Sequence, residues 1–196
     1  MTYSEEAEKA LLTLIGDGVS ASADTLAEVS HTTWETQTVS INTDTLESLQ
    51  TRFAADPDDH YGAFLTTPGA VFTLIFQKQS GPRLAKAFLS KASRSSNARA
   101  PRDEECLAEV ANIVINAVVN TIANAVDESF LLSAPEVVLG SKSVLLKIAL
   151  VKLQTAGDKH AILTYVHMAS EALSSDCAVL IFMSPIFRGR LLKALE

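Results

Sequence analysis

Apolar and polar positions follow two periods along the chain, and the order of the resulting segments predicts an α+β fold. Apolar residues recur every three to four positions over 4–28 and 104–126, which predicts two long helices, the first weakened at Gly16-Asp17-Gly18. The same spacing predicts shorter helices over 46–53, capped by Thr43 or Asp44, and over 82–91 and 185–195. Extended patterns predict strands over 33–41, 61–66, 70–78, 130–139, 145–154, 160–169 and 178–183, with a turn at 156–158.

A weak internal repeat relates the two halves of the chain. Leu74-Ile-Phe76 is followed by a basic segment at Arg83 and Lys86, and Leu180-Ile-Phe182 by a similar one at Arg190 and Lys193. Each half therefore runs helix, strands and a basic amphipathic helix, which predicts a single domain over 1–196 with pseudo-twofold halves 1–91 and 103–196. The segment 92–102 is rich in Ser, Arg and Ala without an apolar period, so we interpret it as a linker. The two long helices would pack on one largely antiparallel sheet.

Composition and charge exclude several classes of function. The 196 residues carry a net charge of −7, which argues against nucleic acid as a partner. No apolar run approaches the length of a membrane span, and the acidic start does not have the pattern of a signal segment. Cys106 and Cys177 provide neither a disulfide framework nor a metal-binding spacing, and the four His residues lack ligand-like spacing to Cys or Asp. These observations predict a cytoplasmic protein with no metal site of its own and no membrane association.

The longest predicted helix carries an unusual polar stripe. Positions three or four apart share a helix face, so one face holds Glu105, Glu109, Asn112, Asn116 and Asn120, with Asn124 continuing the series. Exposed helix positions are usually Lys, Glu or Gln, and Asn is a poor helix former. The stripe is therefore a candidate functional surface, and Ile113 and Val119, which flank it, are predicted to rim a protein-docking surface.

The spacing within this helix and after it resembles the signature of the CheC/CheX/FliY family. That signature is Asp or Ser, three residues, Glu, two residues, Asn, twenty-two residues and Pro. Glu109, Asn112 and Pro135 stand at the family spacing, and Glu105 replaces the leading Asp or Ser. The resemblance extends to the predicted architecture, because the CheC-like fold is a pseudo-twofold α+β domain with two long helices on a largely antiparallel sheet.

The resemblance implies a phosphatase that hydrolyses the aspartyl phosphate of a CheY-type receiver domain. It implies that Asn112 orients the attacking water and that Glu109 pairs with the receiver's active-site lysine. Pro135 would shape the entry into the next strand. The receiver would bring the Mg²⁺, and a CheD-like regulator is a possible second partner. Glu105 has two interpretations: a second receiver contact, or an acid favoured by the helix dipole in the first turn. The remaining partner-binding candidates on this helix are Ile113, Asn116 and Val119.

The first half of the repeat lacks the signature. Aligning the halves places Leu14, Asp17 and Ser40 where the family has Glu, Asn and Pro, which predicts one active site per chain. Two rival functions stay open at this point: a catalytically silent receiver-binding or flagellar-switch module, and a self-associating structural domain. The sequence also leaves open which receiver is bound and whether the protein is a monomer or a homodimer.

Overall fold

A computed structural model describes residues 3–40, 46–92, 102–153, 162–171 and 175–196. Within them the chain forms, in order, α1 (Glu5–Ser30), β1 (Glu35–Ser40), α2 (Leu46–Ala54), β2 (Asp59–Thr67), β3 (Ala70–Gln77), α3 (Ser80–Ala92), α4 (Asp103–Val126), β4 (Glu136–Ser141), α5 (Lys142–Leu153), β5 (Ile162–Ser170), β6 (Ser175–Met183) and α6 (Pro185–Ala194). The proposed caps Thr43 and Asp44, the turn at 156–158 and most of the linker 92–102 lie outside the described residues.

The six strands form one antiparallel sheet with the symmetry of the sequence repeat. Its order is β1-β5-β6-β3-β2-β4, and exchanging each strand of one half for its counterpart in the other reverses this order. At the centre, Thr73 lies opposite Leu180 and Leu74 opposite Val179. A shift of 106 residues, the separation of the repeated Leu74 and Leu180, exchanges these two pairs. The predicted α+β fold with two long helices on an antiparallel sheet is thus confirmed, and its pseudo-twofold axis passes between β3 and β6.

The helices cover both faces of the sheet. α1 and α4 pack against each other on one face, together with α3 and α6, while α2 and α5 cover the other. Gly18 lies where α1 meets α4, since a Cβ built there would stand 2.6 Å from the Cα of Val118. The predicted weak point at 16–18 therefore does not interrupt α1: tertiary packing outweighs the low helix propensity of glycine.

The strand predicted over 145–154 is wrong, because residues 145–153 belong to helix α5; residue 154 lies outside the described residues. Leu145, Leu146, Ala149 and Leu153 are buried, and their spacing is that of one helix face. Val151 on the opposite side is exposed. Because α5 is apolar on nearly all sides, its sequence has the continuous apolar character of a buried strand.

The predicted strand over 130–139 begins later than expected, at Glu136. α4 ends at Val126, and its C-cap Asp127 has a left-handed φ of 51°. The following loop is fastened to β2, since the Ser133 N–H donates to the Thr66 carbonyl at 2.9 Å and the Thr66 N–H donates to Ser133 Oγ at 3.0 Å. These bonds run beside the β2–β4 ladder, which starts at Glu136.

Candidate functional site

The first turn of α4 is fixed by Glu105. Its carboxylate accepts from the backbone N–H of Arg102 at 2.9 Å and from the Arg102 side chain at 3.2 Å. This satisfies the free backbone donor at the helix start, and three acids in the first turn also suit the positive end of the helix dipole. Glu105 therefore has a defined structural task, and a contact to a partner remains a prediction for this residue.

Glu109 and Asn112 lie together one turn further along. Their three-residue separation places them on one face of α4. Glu109 is exposed and Asn112 is half-buried. The site thus presents one carboxylate and one neutral amide at a surface that another protein can reach.

Asn116 is joined to Asn112 by two hydrogen bonds. Asn116 Nδ2 donates to the backbone oxygen of Asn112 at 2.7 Å and to its side-chain oxygen Oδ1 at 2.8 Å. Both side chains are half-buried. The stripe is therefore a bonded pair at 112 and 116, followed by exposed Asn120 and Asn124. The sequence analysis named Asn116 as a partner-binding candidate, but no sequence signal indicated its bonds to Asn112.

The residues expected to rim the site divide into two groups. Val119 is only 3 % exposed and belongs to the core, so the prediction that it lines a docking surface is wrong. Seven residues place it on nearly the same face of α4 as Asn112, but at this point along the helix that face is covered by the core cluster that Val119 joins. Ile113 is partly buried against the core and keeps an accessible portion. Pro135 directly precedes β4, at the strand entry where the sequence placed it.

The electrostatics of α4 are uniform in sign. No Lys or Arg occurs from Asp103 to Val126, and the acids lie in the N-terminal part, at Asp103, Glu104, Glu105 and Glu109. Burial raises the pKa of the Cys106 thiol, and the acids Asp103 and Glu105 raise it further, so this thiol stays protonated and unreactive near neutral pH. The site is accordingly suited to a partner that presents positive charge.

By length and composition alone, α4 is the one helix among the described residues that would pass as a membrane span. The sequence-based expectation that no such segment exists needs that correction. Half of the most apolar stretch of α4 is buried inside the fold, largely against α1. This burial accounts for its apolar character as that of a core helix.

The counterpart helix α1 carries no comparable pair. Leu14 is partly buried, Asp17 is exposed, and α1 contains neither Asn nor Gln at any position. The left-handed caps that end α1 and α4, His31 and Asp127, are 96 residues apart, which shifts the earlier alignment by one residue. In either register the first half provides no amide at the position equivalent to Asn112.

A cleft of about 970 Å³ opens on the other face of the sheet, and sequence reasoning missed it. Lys142 Nζ donates to Asp56 Oδ2 at 2.6 Å, and this bond is the main cause that lowers the pKa of the Asp56 carboxyl. The buried His60 donates from Nδ1 to the Asp58 carbonyl at 2.9 Å. The cleft also holds Lys78, paired with Asp59 at 3.2 Å. Its charges are thus largely neutralised internally.

Across the described parts of the chain, no cluster of three or more His, Cys, Asp or Glu side chains forms that could hold a metal ion.

Comparison with known proteins gives structural matches only. No protein-family model matches the chain, and no curated protein sequence matches it. FliY of Thermotoga maritima is similar with a TM-score of 0.68 and 10 % identity, over 100 % of this chain and 98 % of that one. A chain of the FliG–FliM complex of H. pylori is similar at 0.61 and 14 %, over 97 % and 99 %. The chemotaxis protein CheX of Desulfovibrio desulfuricans is similar at 0.56 and 12 %, over 88 % and 99 %. At these identities the likeness establishes a shared fold.

Proposed function

Because this chain shares its fold with FliY, with CheX and with a chain of the FliG–FliM complex, we propose that it dephosphorylates a CheY-type receiver domain. The observation that carries the proposal is the pairing of Glu109 and Asn112 on one accessible face of α4. The same two residues stand at the spacing of the CheC/CheX/FliY signature, with Pro135 at the strand entry. The signature spacing and the shared fold both support this proposal.

In this reaction the surface has to position a water molecule. The substrate is an acyl phosphate inside another folded protein, and the receiver supplies the Mg²⁺ that neutralises the phosphoryl charge. What remains is to hold a water in line with the bond that breaks. An amide is suited to this task because its oxygen accepts from the water, its NH₂ donates, and it carries no charge. A carboxylate in the same place would be repelled by the phosphoryl oxygens.

Glu109 sets the docking position in this proposal. Its exposed carboxylate lies one turn before Asn112 and is available for a charge-assisted bond to a lysine of the receiver. A single carboxylate and a single amide are too few oxygen ligands for a resident Mg²⁺, which takes near-octahedral coordination. The donor set therefore does not fit a metal cofactor of this chain, in agreement with a receiver that brings its own.

The test is phosphate release from a purified phosphorylated CheY-type receiver, with and without this protein. We expect wild-type protein to accelerate release and Asn112→Ala to lower the rate by roughly a hundredfold, while receiver affinity stays unchanged. Asn120→Ala is the matched control, because it removes an exposed Asn from the same helix face two turns away. Full activity of Asn112→Ala would contradict the assignment of the water-positioning residue.

A second candidate function is a catalytically silent receiver-binding or flagellar-switch module. The observation that favours it is the full-length structural match to a chain of the FliG–FliM complex. Glu105 in place of the family's Asp or Ser also fits a changed role. Under this alternative, the phosphorylated receiver binds through Glu109 but its phosphate lifetime is unaltered. Measuring affinity and phosphate release on the same samples separates the two functions.

Location and additional partners follow from the phosphatase proposal. A protein that acts on receiver domains works in the cytoplasm, where those domains are phosphorylated. A CheD-like regulator would raise the rate of phosphate release if this chain uses one. The oligomeric state, monomer or homodimer, is measured by light scattering on the same preparation.

A further inference from the structure

We propose that Asn116 is a positioning residue that fixes which end of the Asn112 amide faces the substrate, an inference that rests on the proposed phosphatase function. Asn116 was predicted from the sequence as a partner-binding residue. Its side chain is instead committed to Asn112 through the two bonds of Asn116 Nδ2, at 2.7 Å and 2.8 Å. It acts on the reaction through Asn112 and does not contact the receiver.

The bonds determine the orientation of both amides. The backbone oxygen of Asn112 can only accept, so the Asn116 atom 2.7 Å from it must be the NH₂ nitrogen. That same nitrogen lies 2.8 Å from the side chain of Asn112, so the Asn112 atom facing it must be the oxygen. The NH₂ of Asn112 is therefore directed away from Asn116. A flip of either amide would place two donors or two acceptors against each other.

This orientation defines the groups that Asn112 offers. One lone pair of Oδ1 is held by Asn116, the second is left for the water, and the NH₂ can donate to a phosphoryl oxygen. Donation into the carbonyl also polarises the amide and makes its NH₂ a stronger donor. Without Asn116 the amide can rotate by half a turn, and a large share of docking events would present it reversed.

The choice of Asn at 116 has a specific reason on this helix. A bond to the carbonyl one turn earlier needs only a hydroxyl, as Thr121 shows by donating to Ala117 at 2.9 Å, and Thr13 by donating to Lys9 at 3.0 Å. A hydroxyl has a single hydrogen. The NH₂ of Asn has two, so Asn116 can serve the backbone and the side chain of Asn112 together.

Two substitutions separate this role from a structural one. Asn116→Ser keeps a donor to the Asn112 backbone but loses the bond to Oδ1, so the helix is preserved and the orientation is not. Asn116→Asp keeps the shape and turns the donor into an acceptor, which favours the reversed amide. We expect both to lower kcat by about tenfold or more, with KM and receiver affinity unchanged in the uncharged variant Asn116→Ser. The control Asn120→Ala should match wild type.

A wild-type kcat in both variants would overturn the proposal. A loss confined to receiver affinity would also overturn it, because that result would make Asn116 a partner contact. Unfolding midpoints in urea, measured alongside, show whether Asn116→Ser has kept the fold.

A spectroscopic readout is independent of the enzyme assay. In ¹⁵N-labelled protein without receiver, we expect the two side-chain NH₂ proton shifts of Asn112 to differ from those of a solvent-exposed Asn, because its Oδ1 accepts from Asn116. In Asn116→Ser they should move toward the values of an Asn whose amide turns freely about χ2. Unchanged Asn112 signals would refute the positioning role. If wild-type protein releases no phosphate, the proposed function fails, and the NMR result still decides whether Asn116 orients Asn112.

Discussion

At the scale of single residues, the candidate site is two side chains with different tasks. Asn112 is half-buried and bonded to its own helix, as a group that must hold a fixed orientation should be. Glu109 is exposed and able to adapt to a partner. Rate and affinity should therefore respond to different substitutions.

Glu109→Ala is expected to weaken binding of the phosphorylated receiver without a matching fall in the rate at saturation. Loss of a charge-assisted bond costs about 1–3 kcal/mol, or roughly 5- to 150-fold in affinity. Titration calorimetry or fluorescence anisotropy with the receiver measures this, and the salt dependence of binding should fall as well. Glu104→Ala, an exposed acid in the first turn of α4, is the matched control. Equal affinity of the Glu109 variant and wild type would remove Glu109 from the interface.

At the scale of elements, α1 and α4 are held at the close distance that Gly18 permits. Gly18→Ala would set a Cβ 2.6 Å from the backbone of Val118, so the helices must separate. We expect it to lower the free energy of unfolding by about 1–3 kcal/mol, despite the better helix propensity of Ala. Gly16→Ala is the control on the same helix, half-buried, with an expected gain of about 0.5–1 kcal/mol. Urea unfolding followed by circular dichroism compares the two, and a change of equal sign would contradict the packing argument.

The elements also show where sequence reasoning succeeded. α4, the β2–β3 pair and α6 were predicted close to their bounds, because each has a clear period, Gly69 marks the turn between β2 and β3, and Pro185 marks the start of α6. That Glu109 and Asn112 share a face followed from their spacing on the helix, whereas their choice as site residues came from the resemblance to the family signature.

α5 could not be assigned from its own pattern, because its apolar residues lie on nearly all sides of the helix and show no helical period. The repeat held the missing signal: α2 lies between the first two strands of its half, so a helix was due at the equivalent place in the second half. The burial of Val119 and the bond between Asn116 and Asn112 depend on how side chains pack around α4, which the period of one helix does not contain.

At the scale of the whole molecule, the phosphatase proposal requires a division of labour between two proteins. This chain would supply position, and the receiver would supply the metal and the acyl phosphate. We expect the protein alone to bind neither Mg²⁺ nor Zn²⁺ at micromolar concentration and to leave small phosphomonoesters unhydrolysed. Its effect on a phosphorylated receiver should disappear when the receiver's metal is chelated.

Calorimetry with each metal, and phosphate release with and without chelator, provide the measurements. A receiver in phosphorylated form without this protein is the control, because chelation also alters its own rate of hydrolysis. Stoichiometric tight binding of a divalent ion would move the chemistry onto this chain and contradict the proposed mechanism.

The pairing of the outer strands bears on how such a molecule can arise and fold. β1 lies beside β5 and β4 beside β2, so the first strand of each half completes the sheet of the other. One half alone would leave that strand without its ladder, and its hydrogen-bonding groups would have no partner. Such halves are viable only as an intertwined couple, which makes gene duplication and fusion of a self-pairing ancestor of half the length a direct route to this chain. Such a fusion would free one copy of the motif helix to carry no amide while the other keeps it. The cost falls on folding, because strands from opposite ends of the chain must meet before either half is closed.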